Sequence, residues 1–414
     1  MSTFLTLKTV EDVYKIIDEL QALEAEPVSL RNCLGRTLAC DHIAQEDLPG
    51  FTRSTMDGYA VRARDVFGAT EASPALLDLA GECPMGGAPD ITITAGKTAR
   101  IWTGGMLPQG ADAVVMLEYS RPAGTNLVEL TRPVAPLDNT LAKDEDVASG
   151  AVIFSAGLVL CPQDLGLLAS LGQETVAVRR KPRFAVISSG DEIVPTGSKF
   201  SPGKVRESNS HTLCAILETA GAEAANLGIV PDNMEALTAS LKKGLERADA
   251  VIVTGGSSAG QRDFTCPVFA GLPGWEVLVH GVAIKPGKPT IVARNGNKTL
   301  WGLPGNPTAA FVTAEIFIRR LVRTLLGQPK DQPSHGVITA RLSRRVPSAQ
   351  GRRDYIRVIL EKDNKDGVLP VAHPLLGPSG LVSNPSRADG LLVCPETMEG
   401  LNADDLVPVH LLRL

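Results

Sequence analysis

Residues 183–192 read RFAVISSGDE and residues 248–256 read ADAVIVTGG. Each is a short apolar run that ends in small polar residues and glycine, the pattern of a strand buried on both faces. Between them the spacing predicts a helix over 209–220, a strand at AANLGIV (224–230) and a helix over 233–247. Beyond them come strands near 276–279, 290–294 and 299–303 and a helix over 307–326. Apolar strands alternating with helices predict a three-layer α/β domain with a mostly parallel sheet over 182–326.

Working outward, the flanks change character. Residues 8–24 predict a helix: Thr9 is its cap, Glu11 and Asp12 stand in its first turn, and Val10, Val13, Ile16, Ile17 and Leu20 recur at helical spacing. From about 47 to 145 short strands are broken by Gly and Pro, which predicts a β-rich lobe with no amphipathic helix. A helix from about Pro162 to Leu171 is expected to pack back on the first, so that 1–46 and 146–181 form one helical lobe. After the linker GQPKDQP (327–333), short strands return, and 327–414 read as a small β-barrel or sandwich.

Length and composition agree with a globular, multidomain protein. The 414 residues exceed one ordinary core, and 43% are hydrophobic and 21% charged. A net charge of −5 gives no global basic field for nucleic acid or an anionic membrane. The seven cysteines form no CxxC pair or Cys/His cluster, so neither a disulfide framework nor a structural zinc site is expected. No charged-then-apolar leader and no membrane-length apolar run is present, so a cytosolic protein is expected.

In open α/β sheets ligands bind beyond the carboxyl ends of the strands. Three glycine turns fall there: Ser189-Gly190 before Asp191 and Glu192; Gly255-Gly256 with Ser258 and Gly260; and Pro304-Gly305-Asn306. Glycine lets backbone N–H groups approach an anion, and a following helix adds its dipole. A tight turn accounts for any one of them; three in one domain point to a ligand. Neither GxGxxG nor GxxxxGK[ST] is present, against a dinucleotide enzyme or a P-loop NTPase. Glu192, Asp232 and Asp263 accompany the turns, and a divalent cation such as Mg²⁺ would reconcile carboxylates with a phosphate. Asp232 also fits a helix cap, and Asp263 a solvated loop. Lys285-Pro286-Gly287-Lys288-Pro289 aims two cations from a rigid loop, which suits a multivalent oxyanion. Arg352, Arg353 and Arg357 cluster around one strand near Gly377-Pro378-Ser379-Gly380; guanidinium forks suit tetrahedral oxyanions, though a basic edge strand looks the same.

Six motifs then occur in order: SxMDGYA, TGxMLPxGADAVV, SGDE, GGxSxGxxD, KPGKP and GLPGNP. Together they resemble the MoeA and gephyrin E-domain family of molybdopterin molybdenumtransferases along nearly the whole chain. The resemblance implies a dimer of four-part protomers: a helical dimerisation lobe, a β-rich lobe, a MogA-like three-layer α/β domain and a C-terminal β-barrel. It implies adenylylated molybdopterin and molybdate as substrates, Mg²⁺ as cofactor, and molybdenum cofactor plus AMP as products. Asp57 and Thr103 would face the site across the dimer interface. Glu192, Asp232 and Asp263 would line the pterin-phosphate cleft and hold Mg²⁺. Lys285 and Lys288 would attract molybdate, with Arg353 and Ser379 contributed by the barrel. A MogA-type adenylyltransferase and molybdoenzyme apoproteins are the implied partners.

The chain departs from the family pattern at Ala309, where a serine is usual, and at Cys266, where a lysine is common; GGVSxG reads Gly255-Gly256-Ser257-Ser258-Ala259-Gly260 and QGSG reads Gly377-Pro378-Ser379-Gly380. Those changes leave open the choice of molybdate or tungstate. They also leave open a carrier that holds molybdopterin without turnover. A lone adenylyltransferase would need only the α/β domain, and the extra lobes argue against it.

Overall fold

The computed structural model describes residues 7–256, 264–330, 336–362 and 369–413. Its central sheet has six strands in the order Glu223–Val230, Arg183–Ser189, Ala250–Thr254, Lys298–Leu303, Ile291–Asn295, Glu276–His280. The first four are mutually parallel and the last two add antiparallel. A mostly parallel sheet is thus what forms, with a meander at one edge. Both faces are covered, as the unbroken apolar runs require. Helices Asn209–Thr219 and Pro307–Leu325 bury Leu213, Leu217, Phe317 and Leu321 on one face; Met234–Leu245 and Thr265–Gly271 bury Leu237, Leu241 and Phe269 on the other. The Pro307–Leu325 helix is continuous but contains a π segment, Ala314–Ile318, which the helical spacing gave no sign of.

The first helix is shorter than its periodicity predicts, Val10–Asp18. Thr9 caps it, as expected, by accepting from Asp12 N–H, and the Asp12 side chain accepts in return from Thr9 N–H. Tertiary hydrogen bonds then take over the backbone: Gln21 exchanges bonds with the Asn297 side chain, and Leu23 N–H donates to Leu325 C=O. Leu20 and Leu23 are still buried, but from a non-helical segment.

This helix does not pack on the helix Pro162–Ser170. Val13 and Ile17 join the α/β core, and Arg320 donates from Nε and Nη2 to the two Asp18 carboxylate oxygens while lying 4.3 Å over the Tyr14 ring. The second helix instead buries Leu168 with Cys33, Leu38, Leu160, Val176 and Val178. The segments on either side of the β-rich lobe do meet, through the antiparallel pair Ala25–Ser29 and Thr175–Arg179.

The β-rich lobe is a six-stranded sheet built from 58–61, 75–82, 97–101, 113–116, 120–122 and 127–130, with separate apolar clusters around Val115 and around Ile101. Near the C-terminus the strands Arg353–Glu361, Val371–Pro374, Val337–Leu342, Leu406–Leu411 and Gly390–Cys394 pair in that order. The last returns to the first, which closes a five-stranded barrel around Val358, Leu392 and Val409. A two-residue strand of the α/β domain, Ile284–Lys285, adds in parallel to the barrel strand at Arg353-Asp354 and joins the two bodies. Among the described residues no helix is long and apolar enough to cross a membrane.

Candidate active site

Strands 183–189, 223–230, 250–254 and 298–303 all end on one edge of the sheet, so the turns that follow them are neighbours in space. They wall a cavity of about 1300 Å³ that contains Ser189, Glu192, Asp232, Gly255, Gly256, Pro304, Gly305 and Asn306. The closeness of the turns explains Gly255. Its φ is +93°, and a Cβ there would lie 2.0 Å from the Ser189 carbonyl oxygen. Gly305 is stacked against it in turn, so that an added Cβ would sit 3.4 Å from Gly255 Cα.

The carboxylates have definite partners. Ser189 Oγ donates to Asp232 Oδ1 at 2.7 Å, and Asp232 N–H donates to Asp191 Oδ1 at 3.2 Å. Asp232 is not the helix cap; Asn233 caps the following helix by accepting from Ala236 N–H. Glu192 folds back toward Gly190, where an added Cβ would meet both carboxylate oxygens at 2.9 Å. Asp263, Ser258 and Gly260 lie outside the described residues, so the third member of the expected acidic set is not in view. Among the described residues no group of three or more metal-ligating side chains occurs.

A second cavity of about 760 Å³ adjoins the first between the α/β domain and the barrel, and Pro289, Pro304 and Asn306 line both. Lys285, Lys288 and Ser379 stand in its wall, as the cation-rich loop suggests. Asn306 Nδ2 donates to Ser379 Oγ at 3.1 Å, and Thr308 donates from its N–H to Ser379 C=O and from its hydroxyl to Leu381 C=O. Thr308 is thereby committed to holding the barrel loop, and Ala309 is buried beside it.

Arg353 is held in an ion-pair cluster. Its guanidinium grips Glu396 with two nitrogens, at 3.0 and 3.1 Å, and reaches Glu11 at 2.7 Å, away from the second cavity. Arg352 lines that cavity instead. Arg352 lies just before the strand Arg353–Glu361, whereas Arg353 opens it and is taken up by Glu396 and Glu11. Arg352 is steadied by Asp354, Nε to Oδ1 at 3.0 Å, and Asp354 is buried.

Asp57 and Thr103 line neither cavity within the chain. They form a tight pair in the β-rich lobe. Asp57 Oδ1 accepts from Thr103 N–H at 2.8 Å and from its hydroxyl at 2.7 Å. The backbone bond first, then the hydroxyl, hold the Asp57 carboxyl below its usual range.

Sequence reasoning missed several residues. Asn209 donates to Thr254 Oγ1 and Gly305 C=O, both at 2.8 Å, and ties two of the turns together. Glu207 is buried and accepts from Ser188 Oγ, Ser210 N–H and Ser210 Oγ. Lys199, Lys204 and Arg206 also line the first cavity. Their only signal was a run of basic residues in KFSPGKVR, which is indistinguishable from a solvated loop before folding.

Three consecutive family models match the chain: the MoeA N-terminal region (domain I and II) over residues 8–172, the "probable molybdopterin binding domain" over 185–324, and the MoeA C-terminal region (domain IV) over 339–412. The chain is 34% identical over 403 residues to molybdopterin molybdenumtransferase 2 of Mycobacterium tuberculosis, covering 94% of this chain and 96% of that relative. It is 32% identical over 394 residues to the molybdopterin molybdenumtransferase of Bacillus subtilis, covering 94% and 90%. A crystal structure of a molybdopterin biosynthesis MoeA protein from Pyrococcus horikosii superposes with a TM-score of 0.85 at 34% identity, over 99% of this chain and all of that one. Matched from end to end in sequence and in fold, the chain belongs to the MoeA family.

Proposed function

We infer that this protein is a molybdopterin molybdenumtransferase: it takes adenylylated molybdopterin and molybdate and yields molybdenum cofactor and AMP. One observation carries the reading. A roomy cavity walled by glycine turns and carboxylates opens onto a smaller one walled by Lys285, Lys288, Arg352 and Ser379, with Pro304 and Asn306 common to both. The first suits a pterin, its phosphates and the adenylyl group; the second suits a tetrahedral oxyanion beside the dithiolene. Two Mo–S bonds form as one oxo group leaves as water with the two thiol protons, and water cleaves the phosphoanhydride. The lysines and backbone N–H groups offset the charge that develops on the leaving phosphate oxygen. No protein nucleophile takes part.

Several finer features belong to the same proposal. Glu192 and Asp232, which share the first cavity, form a hard oxygen donor set that fits Mg²⁺ held jointly with phosphates, and Asp263 would complete it. The ion would supply charge neutralisation at the anhydride. The protein would act in the cytoplasm as a homodimer of lobes 1–46 with 146–181, 47–145, 182–326 and 327–414. Asp57 and Thr103 would then face the partner's cleft. A MogA-type adenylyltransferase would supply substrate, and molybdoenzyme apoproteins would take the product.

The test is AMP release from adenylylated molybdopterin with Mg²⁺, with and without molybdate, alongside Asp232→Ala. Molybdate-dependent AMP with metal retained in the product, lost in the variant, supports a transferase. Tight pterin binding with no molybdate-dependent AMP would sink it in favour of a carrier.

A further inference from the structure

Residues 195–204 form an arch in the wall of the larger cavity, and the arch is braced. Its feet are two short strands, Ile193–Val194 and Val205–Arg206, which pair in parallel. Val205 N–H donates to Glu192 C=O and Glu207 N–H donates to Val194 C=O, both at 2.8 Å. Lys204 Nζ donates to Asp191 C=O at 2.7 Å and Arg206 Nε to Ser198 C=O at 3.0 Å, which ties the arch across its span. Pro202 limits the backbone near the crown, and Gly203, at φ +76°, supplies the reversal.

Phe200 stands in this arch, lines the cavity and is 84% exposed. A single apolar side chain on a convex surface needs no explanation. This one is large, stands in a concave wall, and is carried by a backbone held on both sides, so little freedom is lost when a ligand packs on it. Its companions are cations. Lys199, Lys204 and Arg206 line the same cavity, and among the described residues none of the three is paired with a carboxylate. The cavity therefore offers an aromatic face and cations from the arch, and carboxylates with glycine turns from the sheet edge. An aromatic ring beside cations fits a flat base that carries phosphate. The ring stacks on the base, and the cations take up the phosphate charge.

We propose that Phe200 is a specificity-determining residue, the stacking platform for a flat nitrogen heterocycle of the substrate, with Lys199, Lys204 and Arg206 receiving the attached phosphates. Naming that substrate adenylylated molybdopterin rests on the functional reading above. It carries two rings of this chemistry, pterin and adenine, and the experiment separates them.

The experiment uses the full chain and the variants Phe200→Ala and Phe200→Tyr, titrated calorimetrically with adenylylated molybdopterin and with AMP. Phe200→Ala is expected to keep the Tm, because the ring is exposed, and to bind adenylylated molybdopterin at least about tenfold more weakly. Phe200→Tyr, which keeps the stacking face, is expected to bind like the unsubstituted protein. An unchanged Kd in Phe200→Ala overturns the proposal, and so does an equal loss in both variants. A Phe200→Ala chain that unfolds makes the ring a packing residue and overturns it too. Given the expected loss, the AMP titration identifies the ring: a matching loss for AMP assigns adenine, and AMP binding that is unweakened or absent assigns the pterin. Binding of AMP but not of adenylylated molybdopterin, weakened by Phe200→Ala, keeps Phe200 as a base platform and removes molybdopterin from the functional reading. Binding of neither overturns both.

Discussion

Lys285 and Asp354 stand opposite each other in a parallel strand pair, one from the α/β domain and one from the barrel, with Nζ 3.8 Å from Oδ2. Asp354 is buried and also holds Arg352, so one carboxylate orients cations from two parts of the chain toward one cavity. Asp354→Asn is expected to cost about 1 kcal/mol, because both of its cationic partners are partly solvated. The local effect is larger than the global one. The Arg353 amide, which donates to Ala283 C=O across the same seam, should exchange with deuterium faster while amides of the central sheet are unaffected.

Asp57 gives a pH prediction. Its folded pKa lies below the ordinary 3.8, so the stability it contributes is fully present above that value and is lost as pH falls through the depressed folded value. Thr103→Val keeps the backbone donor and removes the hydroxyl donor. The Asp57 titration, followed by carboxyl-carbon NMR, should move up toward 3.8 but not reach it. A titration that does not move would show that the hydroxyl bond contributes nothing in solution.

Gly255→Ala meets two penalties at once, a left-handed φ of +93° and a Cβ 2.0 Å from the Ser189 carbonyl oxygen. It should destabilise the protein by about 3 kcal/mol or more in urea denaturation and pull apart the turns that wall the larger cavity. Gly197→Ala, where an added Cβ meets nothing within 4 Å, is the control and should lie within about 0.5 kcal/mol of the unsubstituted protein.

All seven cysteines are free thiols, in very different settings. Cys40 and Cys161 are exposed; Cys33, Cys83 and Cys394 are buried. Burial pushes the Cys83 thiol up to about 11, so it remains protonated throughout the neutral range. Iodoacetamide at pH 8 followed by peptide mass mapping should modify Cys40 and Cys161 first. Cys33, Cys83 and Cys394 should react only after denaturation. Early labelling of Cys83 would contradict its packing.

The reading of the sequence succeeded where the cause is local. Thr9 caps the first helix from the position its sequence predicts, and the strands at 183–189 and 250–254 follow from apolar runs of strand length. It failed where distant residues decide. The first helix stops at Asp18 because Asn297 and Leu325 take over the backbone beyond it, and the strand Ile284–Lys285 is too short to carry any period. Arg353, expected at the oxyanion site, is taken up by Glu11 and Glu396, partners 342 and 43 residues away in sequence.

By itself, then, the sequence determined the alternation of strands and helices, the glycine turns at the strand ends and the pair of lysines in the Pro-Gly loop. Each depends on dihedral limits and hydrophobic periods that neighbours in the chain impose. Only the tertiary structure decided that the carboxyl-edge turns and the barrel loop share Pro304 and Asn306 between two cavities, and that Asp354 faces Lys285. Charge compensation is a property of what surrounds a group in space, and no spacing along the chain encodes it.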